Sequence, residues 1–105
     1  MKRIATITKL KPGMKDEYKK IHEDIWEDMV QAGHEANMRN FSIFWHEDYL
    51  FSYFEYIGEN YEEDMKKKNA LPVTQKWRAA TGAMTDFVIE DTKLIDLEEI
   101  WHNEF

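Results

Sequence analysis

The chain contains no cysteine. That excludes disulfides, thiolate catalysis and thiolate metal sites. No stretch approaches the roughly 20 apolar residues that a membrane-spanning helix requires. The opening residues, MKRIATITKLKPG, carry charges and no apolar run of signal-peptide length. A cytoplasmic protein is expected. Basic residues are outnumbered: 14 Lys and Arg against 21 Asp and Glu give a net charge of −7. A phosphate backbone would be repelled, and no Lys/Arg stripe offsets this. The lysines at 66–68 follow Glu62, Glu63 and Asp64 and read as a solvated helix face. Nucleic acids and anionic membranes are therefore not expected partners. Three signatures are also missing: a zincin-type histidine spacing, a glycine-rich phosphate loop and a G-x-S-x-G elbow. No metal and no cofactor are expected.

Aromatic residues, by contrast, are plentiful: four Trp, five Tyr and six Phe in 105 residues. A domain of this size buries only about 65% of its unfolded surface, so its core is modest. So much apolar area points to an aromatic-lined pocket and to a homodimer interface.

Alternation and β-branched residues predict a strand over residues 2–10, ended by Lys11-Pro12-Gly13. A long amphipathic helix is predicted from Met14 to Ala32, with Gly33 as its terminator. Asn40–Trp45 and Leu50–Ile57 read as a hairpin closed by His46-Glu47-Asp48. Phe41, Ile43 and Trp45 should share one face of it. A second helix is expected over Asn60–Lys68, and a third over Val73–Ala83. Residues 85–93 fit no pattern, and Leu94–Trp101 reads as a final strand. The order β-α-β-β-α-β predicts one α+β domain spanning residues 1–105. It is the ferredoxin-like split βαβ arrangement, an antiparallel sheet with helices on one face. The open sheet face would be covered by a second copy.

The predicted first helix holds the chemistry. At about 100° per residue, Tyr18 and His22 lie one turn apart beside an apolar stripe. A lone histidine there is more often a satisfied core residue. It is also the side chain best suited to proton transfer near neutral pH. Trp77 reads as core packing or as a platform for a sugar ring, and spacing does not decide between them. Glu55, inside an aromatic strand, reads as a water-facing edge residue, a partner to a cation or a second acid/base group.

Four motifs carry a family resemblance. Tyr18, His22, Ile25 and Trp26 form Y-x-x-x-H-x-x-I-W. Asn40-Phe41-Ser42-Ile43-Phe44 forms N-[YF]-[AS]-I-[YF]. Leu50, Phe51 and Glu55 form L-F-x-x-x-E, and Gln75-Lys76-Trp77 forms Q-[RK]-W. In these the chain resembles the L-rhamnose mutarotases over nearly its whole length. The resemblance implies a small dimeric α/β barrel that interconverts the α and β anomers of a 6-deoxy sugar. It implies that His22 is the catalytic proton donor, that Tyr18 binds the monosaccharide and that Trp77 lines the pocket. Two positions depart from the pattern. Phe41 stands where a second sugar-binding tyrosine is implied, and Arg78 where a second tryptophan is. The rival expectations are a cofactor-free monooxygenase or haem-degrading enzyme on the same barrel, and a non-catalytic ligand-binding domain.

Overall fold

Alternation at the N-terminus builds the central strand. In the computed structural model, which describes residues 1–105, β1 runs Lys2–Leu10, as the sequence predicts. Gly13 turns the chain in the left-handed region (φ 80°), where a missing Cβ removes the steric penalty. The remaining elements are α1 (Lys15–Glu23), α2 (Glu27–Glu35), β2 (Met38–His46), β3 (Tyr49–Tyr56), α3 (Tyr61–Ala70), α4 (Pro72–Gly82), β4 (Thr85–Asp86) and β5 (Leu94–Leu97). The sheet order is β2-β3-β1-β4, and β5 also pairs with β1. Every pairing is antiparallel. β4 holds the end of β1 at Lys9 and Leu10, and β5 holds its middle from Ala5 to Thr8. The two short strands thus share one edge. This is the expected ferredoxin-like topology, with each helical stretch made of two helices.

The first helical stretch differs from the sequence expectation. One helix from Met14 to Ala32 is predicted; the structure has two, broken at Asp24–Trp26. The Asp24 N–H caps α1 by donating to the Lys20 carbonyl, and the Ile25 N–H donates to the His22 carbonyl. Trp26 then adopts an extended conformation (φ −65°, ψ 135°) and starts α2. Glu27 and Asp28 occupy the first turn of α2, where the helix dipole favours negative charge. Gly33 is not a terminator either. It lies inside α2, and the chain reverses at Asn37 (φ 64°).

The hairpin forms as predicted, with β2 extended at both ends and β3 shifted one residue toward the N-terminus. Glu47 and Asp48 both have positive φ (47° and 66°). That mirror-image turn matches the twist of the flanking strands. The register shifts between Arg39 and Ser42, so Asn40 and Phe41 together oppose Phe54. Asn40 carries the strain of this bulge at φ 53°. Beyond it, Ile43 pairs with Ser52 and Trp45 with Leu50. Paired residues share a face, so Phe41, Ile43 and Trp45 lie together on the side of Leu50 and Phe54. The predicted final strand is shorter than expected, pairing only over Leu94–Leu97. The acidic Glu98-Glu99 pair that follows leaves the ladder, and Glu99 is tethered to Arg3 Nε at 2.8 Å.

Burial distinguishes the two faces of the sheet. Leu10, Leu50, Phe54 and Tyr56 are buried on one face, beneath the helices. Tyr61 of α3 packs against Phe54 and Tyr56, and Lys15 of α1 lies 4.0 Å from the Trp45 ring centroid. α3 is locked down by a polar network. The buried Tyr56 hydroxyl donates to Asp64 Oδ2 at 2.5 Å, and Asn37 Nδ2 donates to the same oxygen at 3.0 Å. The Asn60 side chain caps α3 by accepting from the Glu63 N–H. On the other face, Phe44, Phe51, Ile7 and Ile95 form one row across four strands. Phe44 and Phe51 are exposed there. No helix is long and apolar enough to cross a membrane.

Candidate active site

α1 places an imidazole where one nitrogen is committed and the other free. His22 Nδ1 lies 2.8 Å from the carbonyl oxygen of Tyr18. A carbonyl only accepts, so Nδ1 carries the hydrogen of that bond. The neutral ring therefore has its lone pair on Nε2, which has no protein partner. When protonated, Nε2 becomes the free donor. The basic end of α1 also complements the helix dipole, with Lys20 and His22 in its last turn.

The Tyr18 ring lies 4.4 Å from the His22 ring, tilted by 37°. Burial pushes its phenol above the ordinary tyrosine range, because desolvation disfavours the phenolate. The group is thus held as a hydroxyl, able to donate and to accept, and it has no hydrogen-bond partner in the protein. A free imidazole nitrogen and a free phenol sit one helical turn apart.

α4 closes the other side. The His22 and Trp77 ring centroids are 5.1 Å apart at 78°, an edge contact. The break between α1 and α2 turns Trp26 onto the same indole, at 5.2 Å and 81°. Trp77 is only 9% exposed and clusters with Met29 and Ala32, with Ile21 and Val73 packed around them. Most of its indole is therefore packing that fixes the position of His22, and its edges are what meet the site. By sequence, Trp26 stands out only within the first motif and has no place in the site. The signal that could have placed it was Glu27-Asp28, an acidic first turn announcing a new helix.

Two predicted site residues lie apart from this cluster. Phe41 stacks on Phe54 at 5.6 Å with planes 6° apart. Phe54 continues to Tyr61 at 6.4 Å. Phe41 thus heads a second aromatic row on the helix-covered face, without ring contact to Tyr18, His22 or Trp77. Arg78 follows Trp77 but is exposed, with no ion pair. Glu55 lies on the open face. It accepts from Asn40 Nδ2 at 2.6 Å and from Tyr53 Oη at 2.9 Å. Those bonds, Asn40 first, hold its carboxyl below the usual range. It is an ionised structural acceptor, remote from His22.

A concavity of about 680 Å³ runs between α2 and the start of α4 and is lined by Trp26, Gln31, Glu35, Val73 and Lys76 among others. It adjoins the Trp26–Trp77 contact, and neither Tyr18 nor His22 lines it. No group of three or more His, Cys, Asp or Glu side chains is placed to hold a metal ion. What the Tyr18–His22 pair can do chemically is bind a hydroxylated ligand and move a proton at Nε2.

A family model described as "L-rhamnose mutarotase" matches residues 3–103 of this chain. The L-rhamnose mutarotase of Phocaeicola vulgatus is 37% identical over 105 residues, covering 97% of this chain and 98% of that protein. The L-rhamnose mutarotase of Listeria monocytogenes is 31% identical over 105 residues, with the same coverage. Among solved structures, an L-rhamnose mutarotase from Formosa agariphila superposes with a TM-score of 0.81 at 24% identity, covering 99% of this chain and 100% of that one. Tetracenomycin F2 cyclase from Streptomyces glaucescens superposes at 0.73 and 13% identity, over 98% and 99% of the two chains. These two superpositions show the fold.

Proposed function

The chain belongs to the L-rhamnose mutarotase family, and from that premise we propose that His22 Nε2 moves the proton in anomer interconversion of a 6-deoxy sugar such as L-rhamnose. The protein is a sugar mutarotase, an isomerase. The observation that carries the assignment is the pairing of a free Nε2, set by the Nδ1 bond to the Tyr18 carbonyl, with the free Tyr18 hydroxyl.

Mutarotation asks for little. Protonated Nε2 donates to the ring oxygen as the bond from that oxygen to C1 breaks. The anomeric hydroxyl gives up its proton to a water, and its electrons form the C1 carbonyl. The open aldehyde rotates about C1–C2. Closure on the other face returns the ring-oxygen proton to Nε2 and a proton to the new anomeric oxygen. Tyr18, held protonated, donates to a sugar hydroxyl and orients the ring. Trp77 fixes His22 by its edge contact, and Trp26 extends the apolar wall. Acid/base catalysis of this kind contributes about 10²–10⁴-fold.

The protein acts as a homodimer in this reading. The row of Phe44, Phe51, Ile7 and Ile95 and the exposed Ile100, Trp101 and Phe105 form more apolar surface than a monomer ordinarily leaves in water. A net charge of −7 argues against nucleic acid, and the cysteine-free chain suits the cytoplasm. Saturation-transfer NMR on L-rhamnose and L-fucose tests the activity, and light scattering tests the dimer. A wild-type protein that accelerates neither exchange sinks the substrate reading.

A further inference from the structure

The groove between α2 and the start of α4 is lined by groups that proton transfer at His22 does not use. Trp26 and Leu71 line it, and they are 38% and 39% exposed. Its polar lining is Asp28, Gln31 and Glu35 from α2 and Lys76 from α4. Positions 28, 31 and 35 are spaced as one helix face. Gln31 Nε2 donates to Glu35 Oε1 at 3.0 Å, which holds that carboxylate in place and leaves its second oxygen free. Asp28, Glu35 and Lys76 take part in no ion pair.

These groups suit a saccharide. A purely apolar ligand would cover them without giving them partners, at a cost in free energy. A sugar offers both halves of the match. Its C–H face packs on an exposed indole, and its hydroxyls donate to carboxylates and accept from an amide or an ammonium. The volume, about 680 Å³, falls among small-molecule sites, which span about 300–1,000 Å³. The groove is also continuous with the catalytic cluster. Trp26 is part of both: its ring meets Trp77 at 5.2 Å, and Trp77 meets His22 at 5.1 Å. The break between α1 and α2 is what sets Trp26 there, as the extended residue that opens α2.

We propose that this groove is a saccharide subsite, which holds the next sugar of a short oligosaccharide whose reducing 6-deoxy ring occupies the Tyr18–His22 site. The chemistry of the groove is independent of the reaction; that it extends the site of the reacting ring rests on the mutarotase reading. Mutarotation permits such a substrate, because it needs a free hydroxyl only at C1. A glycosidic link at O2, O3 or O4 leaves the bond between C1 and the ring oxygen free to open. The proton passes from Nε2 to the ring oxygen and returns on closure, as with the free sugar, and no further reactant is needed.

The test has a binding arm and a turnover arm on the full chain. L-rhamnose and disaccharides with L-rhamnose at the reducing end, linked through O2, O3 or O4, are titrated by calorimetry and tryptophan fluorescence into wild type, Glu35→Ala and Lys76→Ala. Both side chains are exposed on helices, and alanine is the best helix former, so neither change threatens the fold. At least one disaccharide should bind wild type about ten-fold more tightly than L-rhamnose, and each variant should lose about that factor for the disaccharide. Anomer exchange by NMR at subsaturating sugar should follow: the ratio of disaccharide to L-rhamnose exchange falls about ten-fold in each variant. Disaccharides that bind no more tightly than L-rhamnose, or a ratio that neither variant moves, overturn the subsite and leave exchange of L-rhamnose untouched. A disaccharide held tightly through Glu35 but exchanged more slowly than L-rhamnose overturns the continuity of groove and site. Wild type that binds the disaccharide through Glu35 but accelerates exchange of no sugar instead overturns the mutarotase reading and leaves the groove a saccharide site.

Discussion

Gly58 is the position where one added carbon should cost most. A Cβ built there would lie 2.6 Å from Tyr56 Cζ, 2.7 Å from Asn37 Nδ2 and closer still to Tyr56 Oη. Real Cβ atoms do not approach so near, so something must move. Tyr56 is 1% exposed and its hydroxyl donates to Asp64 at 2.5 Å. Asn37 is held by the same carboxylate and by its own left-handed backbone. Neither neighbour is the loose end of a flexible side chain. Overpacking of this kind costs about 1–3 kcal/mol. Breaking a hydrogen bond to the ionised carboxylate adds about 1.5–3 kcal/mol. Gly58→Ala should therefore lose about 3–5 kcal/mol, or roughly 15–30 °C in Tm for a domain near this size. Urea unfolding followed by circular dichroism measures it. In the double variant with Tyr56→Phe, which deletes the nearest atom, the second change should cost at least 1 kcal/mol less than it does alone, by about the energy of the lost bond. A Gly58→Ala protein within about 0.5 kcal/mol of wild type would show that the lock between α2, β3 and α3 is not rigid, and would refute the reasoning.

Three further outcomes follow from the same geometry. The Asp64 carboxyl is held below the usual range, first by the Tyr56 hydrogen bond and then by Asn37. A depressed folded pKa gives stability that is present above the unfolded value, near 3.9, and lost as pH falls through the folded one. Wild type should thus be more stable than Asp64→Asn at pH 7, with the gap shrinking below pH 4 in chemical unfolding. Tyr18→Phe keeps the ring against His22 and removes only the hydroxyl, so sugar affinity should fall about ten-fold while the melting temperature holds. Trp77→Ala empties the cluster with Met29 and Ala32 and should cost about 3–5 kcal/mol, read as a lost or strongly lowered thermal transition rather than a simple loss of turnover.

Much of the fold was legible because local signals and tertiary packing agree. β1 alternates and carries β-branched residues, and it is found where alternation put it. The helix break was not legible from periodicity, because Ile21, Ile25 and Met29 continue the stripe across it. The signals that broke it are a backbone cap at Asp24 and an acidic new first turn. The final strand was overread because apolar Ile100 and Trp101 extend the pattern past the last ladder bond at Leu97. The site was partly legible. Tyr18 over His22 follows from helical spacing, and the structure adds which nitrogen is free. Trp77 reaches His22 only through the packing of α4 against α2, which no local pattern reports.

The central claim is that His22 Nε2 moves the proton. Saturation-transfer NMR of L-rhamnose anomers with wild type and His22→Ala at matched folded concentration tests it most directly. The account predicts exchange about 10²–10⁴-fold faster with wild type than with the variant, the melting temperatures differing little. Exchange by His22→Ala at the wild-type rate would contradict it.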